Sequence, residues 1–333
     1  MYLMNTKNKI LALLEKSRGE SISGEDIAKA LDISRNAVWK AINSLKKDGY
    51  EISSVNNLGY ALSPDNNILS VAGMLPYLKD ENYASKVRVY KASESTNKTA
   101  KEMAINGHEH GTVVIADTQT SGKGRYGKNF YSPPGKGLYM SFIFRTENLR
   151  FKNPFLITAA AAVSVCAAIE TVSGKKPKIK WINDILLDDK KICGILTEAM
   201  TDLESGNIEW IIVGVGVNVN NSAEDFPAEL RQIAGSIYPR ESVAAARNRL
   251  AAEIINRCLS LKTWLEDENV YNEYKERSVL LGHRITITNP NETYECTAMD
   301  IDINGHLVVK KDNGETSALS SGKVSVNRGL VKD

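Results

Sequence analysis

Residues 118–135 read TQTSGKGRYGKNFYSPPG and place Gly122, Gly124 and Gly127 in the order G-x-G-x-x-G, directly behind the apolar run VVIA. Behind a strand, that spacing is the fingerprint of a dinucleotide-binding turn, and a doubly wound sheet would follow from it. Such a turn must open straight into a helix whose N-terminus holds the pyrophosphate. Here Gly127 opens into KNFYSPPGKGLY, and Pro133-Pro134 with two further glycines cannot form that helix. A Walker loop is excluded as well, because no Gly-Lys-Ser/Thr follows at the required distance. The segment therefore reads as a glycine-hinged loop bearing Lys123, Arg125 and Lys128. It is free to close over a ligand, and its cations suit a carboxylate or phosphate.

On either side of this loop, residues 68 to about 275 alternate strand-like runs (KVRVY, TVVIADT, GLYMSFIF, KIKWIND, ILLDD, KICGILTEAM, IEWIIVGVGVNVN) with helical ones at 97–105, 154–172 and 242–266. Several strands follow one another with no helix between them, which predicts a mixed sheet backed by helices. From Leu281 the pattern is strand only, with hairpin turns at Asn304-Gly305 and Asn313-Gly314, and predicts a small closed barrel.

The N-terminal stretch has a different character. Ile10, Leu11, Leu13 and Leu14 give one apolar helical face. Ser23 and Asp26 form a capping box for a helix ending at Leu31, and Ser34 caps a second helix from Arg35 to Lys47. Two short helices around a tight turn, followed by YEISSVNNLGYAL as a two-stranded wing, make a winged helix-turn-helix. Arg35 to Lys47 carries four cations and no acid. Val38, Ile42 and Leu45 are expected to face inward. Ser34, Arg35, Asn36 and Lys40 are placed for base edges, and Lys46, Lys47, Asn56 and Asn57 for phosphates. Trp39 is expected to pack rather than touch DNA. Pro64-Asp65-Asn66-Asn67 reads as a linker.

Composition narrows the classes. The 333 residues carry a net charge of +2 and 42% hydrophobic residues, so nucleic-acid binding must rest on a local patch. Four scattered cysteines without a CxxC pair, and a start lacking a signal-peptide core, predict a cytoplasmic protein with reduced thiols. The apolar run Phe155 to Ile169 is shorter than a membrane span and predicts a buried helix. His108-Glu109-His110 lacks a third ligand at zinc-like spacing and predicts an exposed loop, so no metal-ligating residues are assigned.

Three further strings converge on the glycine loop. SESTN (residues 93–97) puts hydroxyls and an amide at a helix start. KWINDILLDDKKICGIL sets Asp184 at a strand end and Lys191 after a tight turn; if the strands pair, both reach one pocket. IIVGVGVNVN has a strand interrupted by Gly214 and Gly216, a mark of close approach between backbone and ligand. With the winged helix ahead of them, these strings resemble the bifunctional biotin protein ligases that also act as biotin operon repressors, over essentially the whole chain.

The resemblance implies an α+β multidomain protein: a winged helix-turn-helix (residues 1–65), a biotin- and ATP-binding ligase domain with a mixed sheet (66–278) and an SH3-like C-terminal β-barrel (279–333). It implies that Ser95, Thr96, Asn97 and Gln119 bind the ureido head of biotin and its neighbourhood. Gly122 to Lys128 corresponds to the biotin loop, with Lys123, Gly124 and Arg125 at ligand-contacting positions. Lys191 and Gly194 lie near the biotin carboxylate and α-phosphate, and Gly214 and Gly216 complete the biotin set. The nucleotide set is Arg125, Lys128, Asn183, Lys191, Asn218 and Arg328; the catalytic set is Lys191, Arg125 and Asp184. The chain departs from the family pattern at Ile182, Lys123, Tyr126, Phe130 and Asn327. The implied substrates are biotin and ATP with Mg²⁺, and the implied partners are a biotin carboxyl carrier protein, operator DNA and a second copy of the chain brought in by biotinyl-5′-AMP. Rival readings are a lipoate or octanoate ligase and a ligand-sensing transcription factor without ligase activity.

Overall fold

A computed structural model describes residues 5–55, 58–148, 154–201, 206–239, 246–260, 268–288 and 292–326. Three helices, α1 (Thr6–Lys16), α2 (Gly24–Leu31) and α3 (Arg35–Lys47), precede a hairpin of β1 (Ile52–Val55) and β2 (Gly59–Leu62). The caps fall where the sequence puts them: Ser23 Oγ accepts from the Asp26 N–H and Ser34 Oγ from the Ala37 N–H. Val38, Ile42 and Leu45 are buried with Ile10, Leu11 and Leu14, as their spacing predicts. Asn56 and Asn57 lie outside the described residues.

Two short helices, α4 (Val71–Met74) and α5 (Tyr83–Lys86), lead into the central unit. It contains β3 (Val87–Tyr90), α6 (Thr96–Ile105), β4 (Val113–Ala116), β5 (Gly137–Arg145), α7 (Pro154–Ser173), β6 (Lys178–Lys180), β7 (Asp184–Leu187), β8 (Lys190–Thr201), β9 (Ile208–Asn218), α8 (Ala246–Cys258) and α9 (Glu268–Glu276). The seven strands run in the order β3-β4-β5-β9-β8-β7-β6; β3 and β4 are parallel and the other pairs antiparallel. This is the mixed sheet expected from consecutive strands without helices.

Residue parity sorts the two faces of this sheet. Leu138, Met140, Phe142 and Phe144 of β5, with Ile211, Val213, Val215 and Val217 of β9, join the large core containing α7 and α8. Ile143, Trp210 and Ile212 face the other way and pack with Ala100, Met103 and Ala104 of α6. Gly214 and Gly216 share that second face by parity. Helix α7 is 20 residues long, more than its apolar run suggests, and by length and composition could cross a membrane. Most of its apolar window is buried, with Ala159 to Ala162 fully covered, which makes it the core helix of the sheet.

The C-terminal unit is a five-stranded antiparallel sheet of β10 (Arg284–Thr288), β11 (Thr293–Ile301), β12 (Leu307–Lys310), β13 (Thr316–Leu319) and β14 (Lys323–Val326), in the order β13-β12-β11-β10-β14. Its architecture is SH3-like. No ladder joins β13 to β14 among the described residues, so the barrel is open along that seam rather than closed. Its β11–β12 turn docks on the central unit: the Trp181 indole N–H donates to the Gly305 carbonyl at 2.8 Å.

Candidate active site

The site is built on the α6 face of the sheet. Ser95, Thr96 and Asn97 are buried at the start of α6. Ser95 occupies the cap position, but its side chain makes no capping bond. Gln119 supplies that function from the loop: its Oε1 accepts from the Thr96 N–H at 2.9 Å, and its amide donates to Ser132 Oγ at 2.9 Å. Ser141 Oγ lies 2.8 Å from Thr96 Oγ1 and donates to Asn97 Oδ1 at 2.7 Å. The Asn97 amide donates to the Leu196 carbonyl and to Glu198 Oε2.

Lys101 completes the row, 2.6 Å from Glu198 Oε1. Burial acts to raise the Glu198 carboxyl, but hydrogen bonds from Lys101 and Asn97 and the Lys101 charge outweigh it and hold its pKa below the usual range. Gly214 is required here, since a Cβ on it would stand 2.1 Å from Asn97 Oδ1. The result is a buried polar cluster whose donors and acceptors hold one another in place.

The other end of the site lies on β7 and β8. The hairpin turns through Asp188 and Asp189, both with positive φ, as a two-residue turn matched to strand twist demands. Pairing brings Asp184 opposite Gly194, and Lys191 Nζ sits 2.6 Å from Asp184 Oδ1, both half-exposed. The Phe130 ring covers Gly216 and Gly194: a Cβ would meet it at 2.7 Å on Gly216 and 3.4 Å on Gly194.

The glycine loop is a miniature hairpin. The Gly124 N–H donates to the Lys128 carbonyl and the Phe130 N–H to the Gly122 carbonyl, with a turn at Arg125–Gly127. Tyr126 in that turn has φ 56°, rare for an aromatic residue. Arg125 reaches across to Asn183 Oδ1 at 3.3 Å, and its guanidinium lies 5.0 Å from the centre of the Tyr126 ring. The loop also touches residues 221–235 through Tyr131 and Phe226, whose ring centres are 6.2 Å apart.

Of the residues read from the sequence, Ser95, Thr96, Asn97, Gln119, Gly122 and Gly214 gather at the polar pocket. Asp184, Lys191, Gly194 and Gly216 gather beside Phe130, and Arg125 meets Asn183. Lys123 and Lys128 are exposed. Asn218 is buried and donates its amide to the Gly235 carbonyl. Arg328 and Asn327 lie outside the described residues. Sequence reasoning missed Ser132, Ser141 and Glu198. Ser141 is the polar break inside GLYMSFIF, and Glu198 lies two and four positions beyond Leu196 and Gly194 on one pleat face, so both left a signal in the strand alternation.

On the winged helix, Ser34, Arg35, Asn36, Lys40, Lys46 and Lys47 are exposed. Lys46 donates to Ser54 Oγ of the wing at 2.9 Å, which joins the helix end to the hairpin. Trp39 does not pack: it is 57% exposed, one turn from Arg35 and Asn36. Inward burial at Val38 and Ile42 leaves position 39 on the outer face of α3.

A mixed sheet that presents a buried polar pocket at one end and a lysine–carboxylate pair at the other defines a ligase core, here joined to a DNA-binding module. Residues 89–218 match the model of the biotin/lipoate A/B protein ligase family, residues 6–61 an HTH domain and residues 280–326 the biotin protein ligase C-terminal domain. The chain is 35% identical over 320 residues to the bifunctional ligase/repressor BirA of Bacillus subtilis, spanning 92% of this chain and 95% of that one. It is 25% identical over 317 residues to BirA of Escherichia coli, spanning 91% and 92%. The biotin protein ligase of Aquifex aeolicus, solved in complex with biotin and ATP, superposes with a TM-score of 0.62 at 25% identity, covering 73% of this chain and 99% of that one. The chain belongs to the bifunctional ligase/repressor branch of the biotin protein ligase family.

Proposed function

We propose that the chain activates biotin with ATP and passes it to a lysine of a biotin carboxyl carrier domain, and that the activated intermediate also switches the protein into a DNA-binding repressor. The work divides among residues 1–65 for DNA, 66–278 for chemistry and 279–333 as the C-terminal brace, in the cytoplasm. Ser95, Thr96, Asn97 and Gln119 receive the polar ureido head. Gly194, Gly214 and Gly216 let Asn97 and the Phe130 ring lie close against the sheet beside the ligand, and Gly122, Lys123, Gly124 and Arg125 close over it.

A carboxylate does not acylate an amine at neutral pH without a leaving group. In the first step a biotin carboxylate oxygen bonds to the α-phosphorus of ATP, the bond to the β-phosphate breaks and pyrophosphate leaves. Lys191 and Arg125 neutralise the charge building on the phosphate, with Lys128, Asn183, Asn218 and Arg328 around the nucleotide. No group of acidic, histidine or cysteine side chains that could hold a metal occurs among the described residues. Mg²⁺ enters with the nucleotide substrate, carried by its phosphates. In the second step the acceptor lysine nitrogen bonds to the acyl carbon, the carbon–oxygen bond of the anhydride breaks and AMP leaves. Asp184 orients the incoming amine and takes its proton.

The same intermediate acts as corepressor by favouring a homodimer, which presents two winged helices to a two-fold operator. Beyond Ile195, β8 has a ladder only with β9 among the described residues, and we propose residues 196–201 as the strand edge for that contact. Arg35, Asn36 and Lys40 face bases, with Ser34, Lys46 and Lys47 around them. The observation that carries the enzymatic reading is the Asp184–Lys191 pair beside glycines on the face that also holds the polar pocket. Incubation with biotin, ATP and magnesium should leave a tightly held biotinyl-5′-adenylate detectable by mass spectrometry. Loss of pyrophosphate release, or equal activity with lipoate, would sink the reading.

A further inference from the structure

Residues 64–67, the expected linker, are gripped from both sides, together with Ser63 ahead of them. On the winged-helix side, Arg18 donates to the carbonyls of Ser63, Pro64 and Asn66, while Glu15, 2.6 Å away, neutralises it. On the ligase side stands Arg247 in the first turn of α8, only 3% exposed. Its Nε donates to Asn67 Oδ1 at 3.0 Å and one Nη to the Asn67 carbonyl; the other Nη donates to Asp117 Oδ1 at 2.5 Å and to the Gly137 carbonyl at 3.2 Å. Asn67 in turn donates to the Gly135 carbonyl, and the Gly135 N–H donates to Asp117 Oδ1. Guanidinium, Asp117, Asn67 and Gly135 thus form a closed circuit.

The members of that circuit frame the glycine loop. Asp117 follows β4, two residues before Gln119, whose side chain fixes Thr96. Gly135 and Gly137 stand at the loop's exit, and Gly137 pairs with Asn218. A buried guanidinium is costly unless every donor is met, and an apolar side chain would seat a helix with less desolvation. Fixing three chain segments with one planar fork is what this charge does here.

We propose that Arg247 is a positioning residue for the biotin loop and that, through Asn67, it ties the order of that loop to the seating of the DNA-binding domain. The inference rests on the ligase reading above. Biotin KM and kcat, from pyrophosphate release at saturating ATP, and amide exchange with and without biotin plus ATP test it on the full chain. In the wild type, ligand should protect amides 118–136 and 66–70 together.

Arg247→Lys, whose single ammonium cannot serve all three segments, should raise biotin KM about tenfold with kcat within about threefold. Asn67→Ala, which leaves the Arg247 bonds to Asp117 and Gly137 in place, should raise KM less than Arg247→Lys does yet confine the protection to 118–136. If Arg247→Lys fails to fold, Asp117→Asn reads the same arm, with the same rise in KM. Unchanged KM in the folded variant, or wild-type protection that never reaches 66–70, overturns the proposal. Absence of adenylate in the wild type would instead overturn the reading on which it rests.

Discussion

Gly214→Ala is the sharpest test of the pocket. The added methyl would stand 2.1 Å from Asn97 Oδ1 and 2.8 Å from its Cγ, where ordinary contact begins at 3.4 Å. The amide must therefore move by more than an ångström. It is buried and held by three hydrogen bonds, from Ser141 and to the Leu196 carbonyl and Glu198. Breaking two neutral bonds at about 1 kcal/mol each, and one to a carboxylate at about 2 kcal/mol, costs on the order of 4 kcal/mol. Where biotin is received with Asn97 in its wild-type place, as proposed, restoring it on binding costs up to as much, and at about 1.4 kcal/mol per tenfold the biotin affinity should fall by up to several hundredfold. Titration calorimetry with biotin reads it directly. A double-mutant cycle assigns the cause: in an Asn97→Ala background there is no amide to displace, so Gly214→Ala should add less than about 1 kcal/mol. Wild-type affinity in Gly214→Ala, or losses that simply add in the double variant, would refute the reasoning.

Three other outcomes follow from the same geometry. Lys191→Ala, which removes the ammonium 2.6 Å from Asp184, should slow pyrophosphate release roughly a hundred- to thousandfold, and an unchanged rate would remove Lys191 from the chemistry. Because its folded pKa is depressed, Glu198 contributes its stabilisation fully above the ordinary 4.5 and loses it as pH falls through the lowered value; biotin binding should be flat from pH 8 to 5 with respect to this group and weaken below, and Glu198→Gln should abolish that acid limb. Trp39→Ala should weaken binding of the adenylate-loaded protein to a pool of random duplexes by about tenfold while leaving adenylation intact; gel shifts matching the wild type would return Trp39 to a bystander.

Local signals were legible because their causes are local. Ser23 and Ser34 cap helices through neighbours three residues away, Asn304-Gly305 and Asn313-Gly314 turn hairpins, and runs of strand-forming residues mark the strands of the sheet. Even the two-residue turn at Asp188-Asp189 showed in its polarity. What escaped depends on contacts between distant segments. Trp39 was misread because composition does not say which side of α3 the winged helix covers. Arg247 gave no sign of its role, since its partners lie 180 and 130 positions away. The linker read as a tether because proline and asparagine mark a turn without saying what grips it. The barrel was expected to close because strand count cannot reveal whether β13 and β14 meet.

The sheet explains why pocket and core can share the same strands. On β9, odd positions 211 to 217 bury valine and isoleucine against the core, while even positions 214 and 216 carry no side chain on the α6 face. On β8, Cys193 and Ile195 go inward, while Gly194 stands at the site and Glu198 braces it. A one-residue slip of β9 would turn valines toward the site, one of β8 would turn Cys193 and Ile195 there, and either would open glycine-sized gaps in the core. Stability and ligand access are thus set by one register, and the apolar face enforces it. The geometry at Asn97 and Lys191 is therefore held by residues of the opposite, core face, and core substitutions such as Val215→Ala should disturb biotin binding only to the extent that they loosen that register.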